Sequence, residues 1–205
     1  MRVTLSDAMT NAVKWFLSNL HTNAPAVIVS FDAAKQSAVV QPSIKRTLTN
    51  GAVQQLPSIS NVPIITLKTD SAGMHIPPKV GDGVLLVFCE RSLERWLSSK
   101  QGEIVEAGDI RQYDFTDAIG ILGLNPLTFD YPFKDNSVYL YHNRGRIKVD
   151  ESSKVAIGND SAELLDILSR TLDKLSTTTA GGNPLSTAAD FTALKAELEL
   201  IKGTL

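Results

Sequence analysis

Sulfur is nearly absent from this chain: its 205 residues hold one cysteine, Cys89. A single thiol cannot close an intrachain disulfide, and no cysteine-based metal signature exists around it. An excess of one charge is missing too. The 20 basic and 22 acidic residues leave a formal net charge of −2, without a block of like charge. That balance argues against a dedicated nucleic-acid binder, which carries a basic patch. No apolar run approaches the roughly 18 residues that a membrane-spanning helix needs. The first residues, MRVTLSDAMTNAV, lack the apolar stretch of a signal peptide, so synthesis in a cytoplasm is expected. Catalytic signatures are missing as well. His21, His75 and His142 lie far apart, without a ligand at metal-binding spacing, and there is no HExxH, GxSxG, Walker loop or GxGxxG. No enzyme, catalytic residue, cofactor or metal site is therefore expected.

Apolar side chains are plentiful, at 43% of the chain, so a real core is expected. Their pattern changes along the chain and divides it into four stretches. Residues 1–23 hold an amphipathic helix over 4–20. Leu5, Met9, Ala12, Val13, Phe16, Leu17 and Leu20 recur at three- and four-residue spacing, and Thr4 with Asp7 weakly matches a capping box. The plainer expectation is a helix docked on its own domain; the alternative is a subunit contact.

Residues 24–126 read as all-β. Val27, Val29 and Phe31 alternate with Ile28 and Ser30, and a second strand from Ser37 to Ile44 completes a hairpin. Asn50-Gly51 signals a two-residue turn. Pro63 demotes Val62–Ile65 to an edge or a strand start. Val84–Phe88 is a continuous apolar run, expected to be buried on both faces. Ser92–Ser99 is a short helix candidate carrying Leu93, Trp96 and Leu97, with Trp96 a candidate core residue under the strands. Ala118–Leu124 is the last strand. The count fits a small closed barrel such as an OB-fold, with a sandwich as the alternative.

Residues 127–160 contain a linker, with two prolines and three aromatics over 125–135, and a short β-stem. In that stem Val138, Leu140 and His142 share one face, and Tyr139 and Tyr141 share the other. Three short strands cannot close a core of their own, so they must lean on the barrel or on other copies of the chain. Residues 161–205 carry two heptad seams: Leu165, Leu168, Leu172 and Leu175, then Phe191, Leu194, Leu198, Ile201 and Leu205. Helices this short are marginal alone and must pack on each other or across subunits. Thr187 with Asp190 is expected to cap the second.

Individual candidates for chemistry receive plain readings. Gly81-Asp82-Gly83 precedes a strand, whereas a phosphate loop opens a helix, so it reads as a turn. Asp114 with Asp117, and Glu90 with Glu94, are expected to be solvated or to cap helices. Alternating charges at Glu90, Arg91, Glu94 and Arg95 read as surface ion pairs. His142 reads as a turn histidine; three copies around a threefold axis would form a metal set.

Taken together, PAVIVSFDAAKQSAVVQPSIK, MHIPPKVGDGVLLVFCERSLERWL and DIRQYDFTDAIGILGLNP resemble the central spike proteins of contractile-tailed phages, with Pro77, Gly81, Asp82, Gly83, Phe88, Glu90, Arg91, Trp96, Arg111, Asp114, Asp117, Gly123 and Pro126 as landmarks. GRIKVDESSKVAIGNDSAELLDILS is similar to the C-terminal part of some baseplate proteins. The resemblance implies a structural virion protein: an N-terminal OB-fold, a homotrimer on the tail axis and a β-structured spike. Implied partners are hub or tail-tube proteins, a separate tip protein and, transiently, the host outer envelope. Localisation would be the tail baseplate. The stem over 136–159 is short beside the family's long intertwined needles, and the His-x-His iron motif of their tips is absent, so no axial ion is assigned. The helices from Ser161 onward would form the distal end, plug the tube or dock a tip protein. Trimer contacts are expected at Leu165, Leu168, Leu172, Leu175, Phe191, Leu194, Leu198 and Ile201. The rival readings are an OB-type module for nucleic acid or a partner protein, and a tail-associated wall hydrolase.

Overall fold

In the computed structural model, which describes residues 4–48, 50–180 and 182–203, the chain divides into two units, Met1–Phe129 and Asp130–Leu205. Leu205, the last position of the second seam, lies outside the described residues.

The first unit opens with α1 (Leu5–Asn19). Thr4 caps it through a complete capping box, its hydroxyl accepting from the Asp7 amide while the Asp7 carboxylate accepts from the Thr4 amide. Strands β1 (Asn23–Asp32), β2 (Ser37–Pro42), β3 (Arg46–Thr47), β4 (Val53–Gln54), β5 (Ile59–Ile65), β6 (Leu67–Lys68), β7 (Gly73–Met74) and β8 (Gly83–Phe88) follow. The one-turn helix α2 (Glu94–Leu97) and β9 (Ala118–Leu122) complete the unit. Five strands close into a barrel in the order β1-β2-β5-β9-β8, with β8 returning to β1. All neighbours are antiparallel except β5 and β9. This is the closed Greek-key barrel of an OB-like fold, not a sandwich.

Period-two patterning places one set of side chains inside. Ile28, Val40, Val62, Val84, Leu86 and Phe88 form the centre of the core, and full burial of each is worth about 1.5–3 kcal/mol. Three sequence expectations need correction. The Val84–Phe88 run is not buried on both faces: Leu85 is half-buried and Val87 is exposed, because a small barrel has only one inside. Pro63 sits in a strand paired on both sides. It is tolerated because β5 stops pairing with β2 there and begins its parallel pairing with β9 at Ile64. The Asn50-Gly51 hairpin has a longer turn than two residues. The Leu48 amide bonds the Ala52 carbonyl, and Gly51 takes a φ of 81°, which glycine adopts without strain.

Gly81-Asp82-Gly83 is a turn, as expected. The Asp82 carboxylate accepts from the Lys79 amide at 2.7 Å, and Asp82 and Gly81 exchange backbone bonds with Ile28. A Cβ on Gly83 would lie 1.9 Å from the Leu124 carbonyl, so only glycine allows this closure.

The second unit holds an antiparallel meander of β10 (Val138–His142), β11 (Gly145–Val149) and β12 (Val155–Gly158). Helix α3 (Leu164–Thr177), a small hairpin of β13 (Thr179–Ala180) and β14 (Asn183–Pro184), and α4 (Ala188–Ile201) follow. The hairpin occupies the helix-breaking stretch read from the sequence. Thr187 stands at the N-cap of α4 but makes no side-chain capping bond, because its backbone is not extended there.

Candidate assembly interface

Helix α1 presents no buried residue. Leu5, Met9, Val13, Phe16 and Leu17 all stand in solvent, which overturns the expectation that this helix docks on its own domain. An amphipathic stripe left open by its own domain suits contact with another molecule.

The β10–β12 sheet has two unlike faces. Tyr139 and Tyr141 pack on Phe133, at ring distances of 3.9 and 4.8 Å. Asp135 joins this face by accepting from the Tyr139 hydroxyl at 2.8 Å and pairing with Lys148 at 3.3 Å. The opposite face is apolar. Val138 pairs with Val149 and Leu140 with Ile147, and Val155 and Ile157 extend the same rows. Val138, Leu140, Ile147 and Val149 are exposed. His142 ends the sheet opposite Gly145 and is exposed, as a turn histidine should be.

Helices α3 and α4 pack on each other in antiparallel register, and polar clasps mark the contact line. Lys202 Nζ meets Asp166 at 3.1 Å, Ser169 donates to Glu199 at 2.5 Å and Lys195 meets Asp173 at 2.8 Å. Each clasp residue directly follows a seam residue: Leu165, Leu168 and Leu172 on α3, and Leu194, Leu198 and Ile201 on α4. One residue back is a rotation of about 100°. In an antiparallel pair the same offset turns both stripes to the same side. The seams therefore bury each other only in part, and their remaining residues make a common apolar face. Leu198 is buried at 8% exposure, and Leu165, Leu172 and Phe191 are half-buried. Leu168, Leu175, Leu194 and Ile201 remain exposed, the last two at 50% and 54%.

Several residues that organise this unit escaped the sequence reading. Glu163 caps α3: its carboxylate accepts from the Leu165 and Asp166 amides and also from the Ile157 amide at 3.0 Å, fastening β12 to the helix. The Lys202 ammonium holds Asp166 below the usual carboxylate range, the Ser169 hydroxyl does the same for Glu199, and Asp166 in return raises Lys202. The alternation of leucine with a clasp residue was the signal available for this pattern.

In the first unit the landmark residues Arg111 and Asp117 form a clasp with Ser92 beside α2. Arg111 Nε lies 2.9 Å from the buried Asp117 carboxylate, and its guanidinium donates to Ser92 Oγ at 2.6 Å. Asp117 also accepts from the Leu93 amide at 2.9 Å. Asp117 is thus neither solvated nor a helix cap. Asp114 fits its expectation better, turning the chain by accepting from Thr116. Trp96 is 52% exposed and does not pack under the strands; α2 is one turn long and lies outside the closed wall. Burial raises the Cys89 thiol, with the nearby Asp117 charge adding to it, which disfavours the reactive thiolate. Among the described residues no group of three or more His, Cys, Asp or Glu side chains could hold a metal ion, and no helix is long and apolar enough to cross a membrane.

Residues 24–123, just under half of the chain, match the family model of the phage protein Gp138 N-terminal domain. The matched span starts within β1 and ends just past β9, so it frames the closed barrel. The match supports a phage structural protein and a virion component. No curated protein matches the chain.

Proposed function

We propose that this chain is a homotrimeric central spike or hub component of a contractile phage tail. In this reading it sits in the baseplate at the tail tip and takes part in penetration of the host envelope. It acts by assembly and not by catalysis, and its partners are two further copies of itself and neighbouring hub or tail-tube proteins.

The observation that carries the reading is apolar surface without a private core. The β10–β12 sheet and the α3–α4 pair each turn an apolar face to solvent, and α1 adds a third. Monomers rarely leave so much apolar area open, while obligate oligomers bury it between subunits. The phage-protein match over the barrel supplies the setting. A part loaded along its axis benefits from a closed barrel, whose five strands leave no unpaired edge.

Light scattering on a sizing column tests it. The expected solution mass is three times the 22.2 kDa of the chain. A clean monomer at micromolar concentration overturns the reading.

A further inference from the structure

Beside α2 the barrel carries an open groove of about 650 Å³. Its apolar lining includes Pro63, Ile65 and the exposed Trp96, and three lysines line it as well: Lys35, Lys68 and Lys100. Among the described residues no carboxylate lines the groove itself, though Glu94 lines an adjoining depression. A groove with this lining suits an occupant that is acidic and aliphatic together.

The same barrel displays such a segment. After Gly102, the last lining residue in sequence before β9, the chain runs Glu103-Ile104-Val105-Glu106-Ala107-Gly108-Asp109-Ile110. Ile104 and Ile110 are 99% and 97% exposed, and three carboxylates stand among them. The loop does not enter its own groove. The Glu103 carboxylate accepts from the Lys100 amide at 3.0 Å, and Glu106 pairs with Arg95 at 3.6 Å. These contacts hold the two carboxylates on the Lys100 backbone and on Arg95 of the same chain.

We infer that the Glu103–Ile110 loop of one copy docks into the Lys35/Lys68/Lys100/Trp96 groove of the next. Groove and loop are different patches of the chain, so the contact is heterologous, and a heterologous contact closes into a ring when its rotation permits. The inference rests on the homotrimer reading and names the surfaces that hold it together at the barrel. Opposite charges across the contact set its register and partner choice; being surface charges, they weaken with salt.

Charge reversal tests it on the full chain, with sedimentation reading the trimer dissociation constant and circular dichroism confirming the fold. Replacing Lys35, Lys68 and Lys100 by Glu should weaken the trimer at least about tenfold, because like charges then meet across the contact. Glu103→Lys with Glu106→Lys should do the same. Combining both sets should restore association. Ile104→Ser, a single change in solvent-exposed loop, should also weaken the trimer without altering the fold. A trimeric wild type whose association none of these changes alters overturns the inference and leaves the homotrimer standing. Weakening by the lysine changes that the combined variant fails to restore also overturns it, pointing to a different acidic occupant. A wild type that is monomeric throughout overturns both.

Discussion

The two units of this chain solve the same problem differently. Among the described residues, every buried apolar side chain lies in the barrel except Ala156 and Leu198. The barrel meets its hydrophobic demand inside one chain, by closing five strands around Ile28, Val40, Leu86 and their neighbours. The second unit has similar apolar content in its strands and helices yet turns most of it outward. Polar fastenings supply much of its internal order: Glu163, the Asp166–Lys202 and Ser169–Glu199 clasps, and the Arg146–Asp160 pair at 2.8 Å. A private core makes a unit independent. Polar clasps around an open apolar face make a unit that awaits partners.

The sharpest way to break this contrast is to open cavities on both sides. Leu86→Ala in the barrel should cost about 2–5 kcal/mol in denaturant unfolding. Leu194→Ala, on the exposed α4 stripe, should cost within about 0.5 kcal/mol for the isolated chain while weakening association. Equal losses in the monomer would erase the distinction. A second test probes the clasp beside α2. Asp117→Ala removes the acceptor of the Leu93 amide and the partner of Arg111, and should cost about 1–3 kcal/mol.

Third comes the cap. Glu163→Ala should cost about 0.5–2 kcal/mol, read as early loss of helical signal with the barrel intact. Next is acid. Asp166 and Glu199 titrate lower when folded than unfolded, so their contribution is fully present above the unfolded carboxylate range. It disappears as the pH falls through their folded values. The α3–α4 pair should therefore loosen below the usual carboxylate range, and a pH series of circular dichroism at fixed temperature would show it; a pair that persists unchanged would mean that apolar contacts hold it. The smallest effect is expected from Trp96→Ala, within about 0.5 kcal/mol of wild type. A loss of several kcal/mol would place the indole in the core after all.

Much of the barrel was legible beforehand because strand periodicity and turn chemistry are local. The β1–β2 hairpin, the Gly81–Gly83 turn and the final strand at Ala118 follow from residues close together in sequence. The misreadings share a cause. Pro63 reads as an edge residue because sequence does not show where a strand exchanges one neighbour for another. Val87 reads as interior because an apolar run does not reveal whether its second face is covered. Trp96 reads as core because large aromatics are well buried on average, and only the one-turn length of α2 and its place outside the wall put the indole in solvent.

For the assembly surfaces the division is similar. Sequence alone determined that Leu165, Leu168, Leu172, Leu194, Leu198 and Ile201 recur as stripes, since helical periodicity is a property of one segment and its 3.6-residue turn. It also determined that three short strands lack a core of their own. Only the tertiary structure decided where those stripes point. The direction depends on the antiparallel register of two helices, set by long-range pairs such as Asp166 with Lys202 and Ser169 with Glu199. The same holds for the groove, where Lys35, Pro63, Trp96 and Lys100 meet only because β2, β5 and the chain after β8 close around one core. Local patterning states what a segment needs to bury; packing between distant segments decides what is left to bury against someone else.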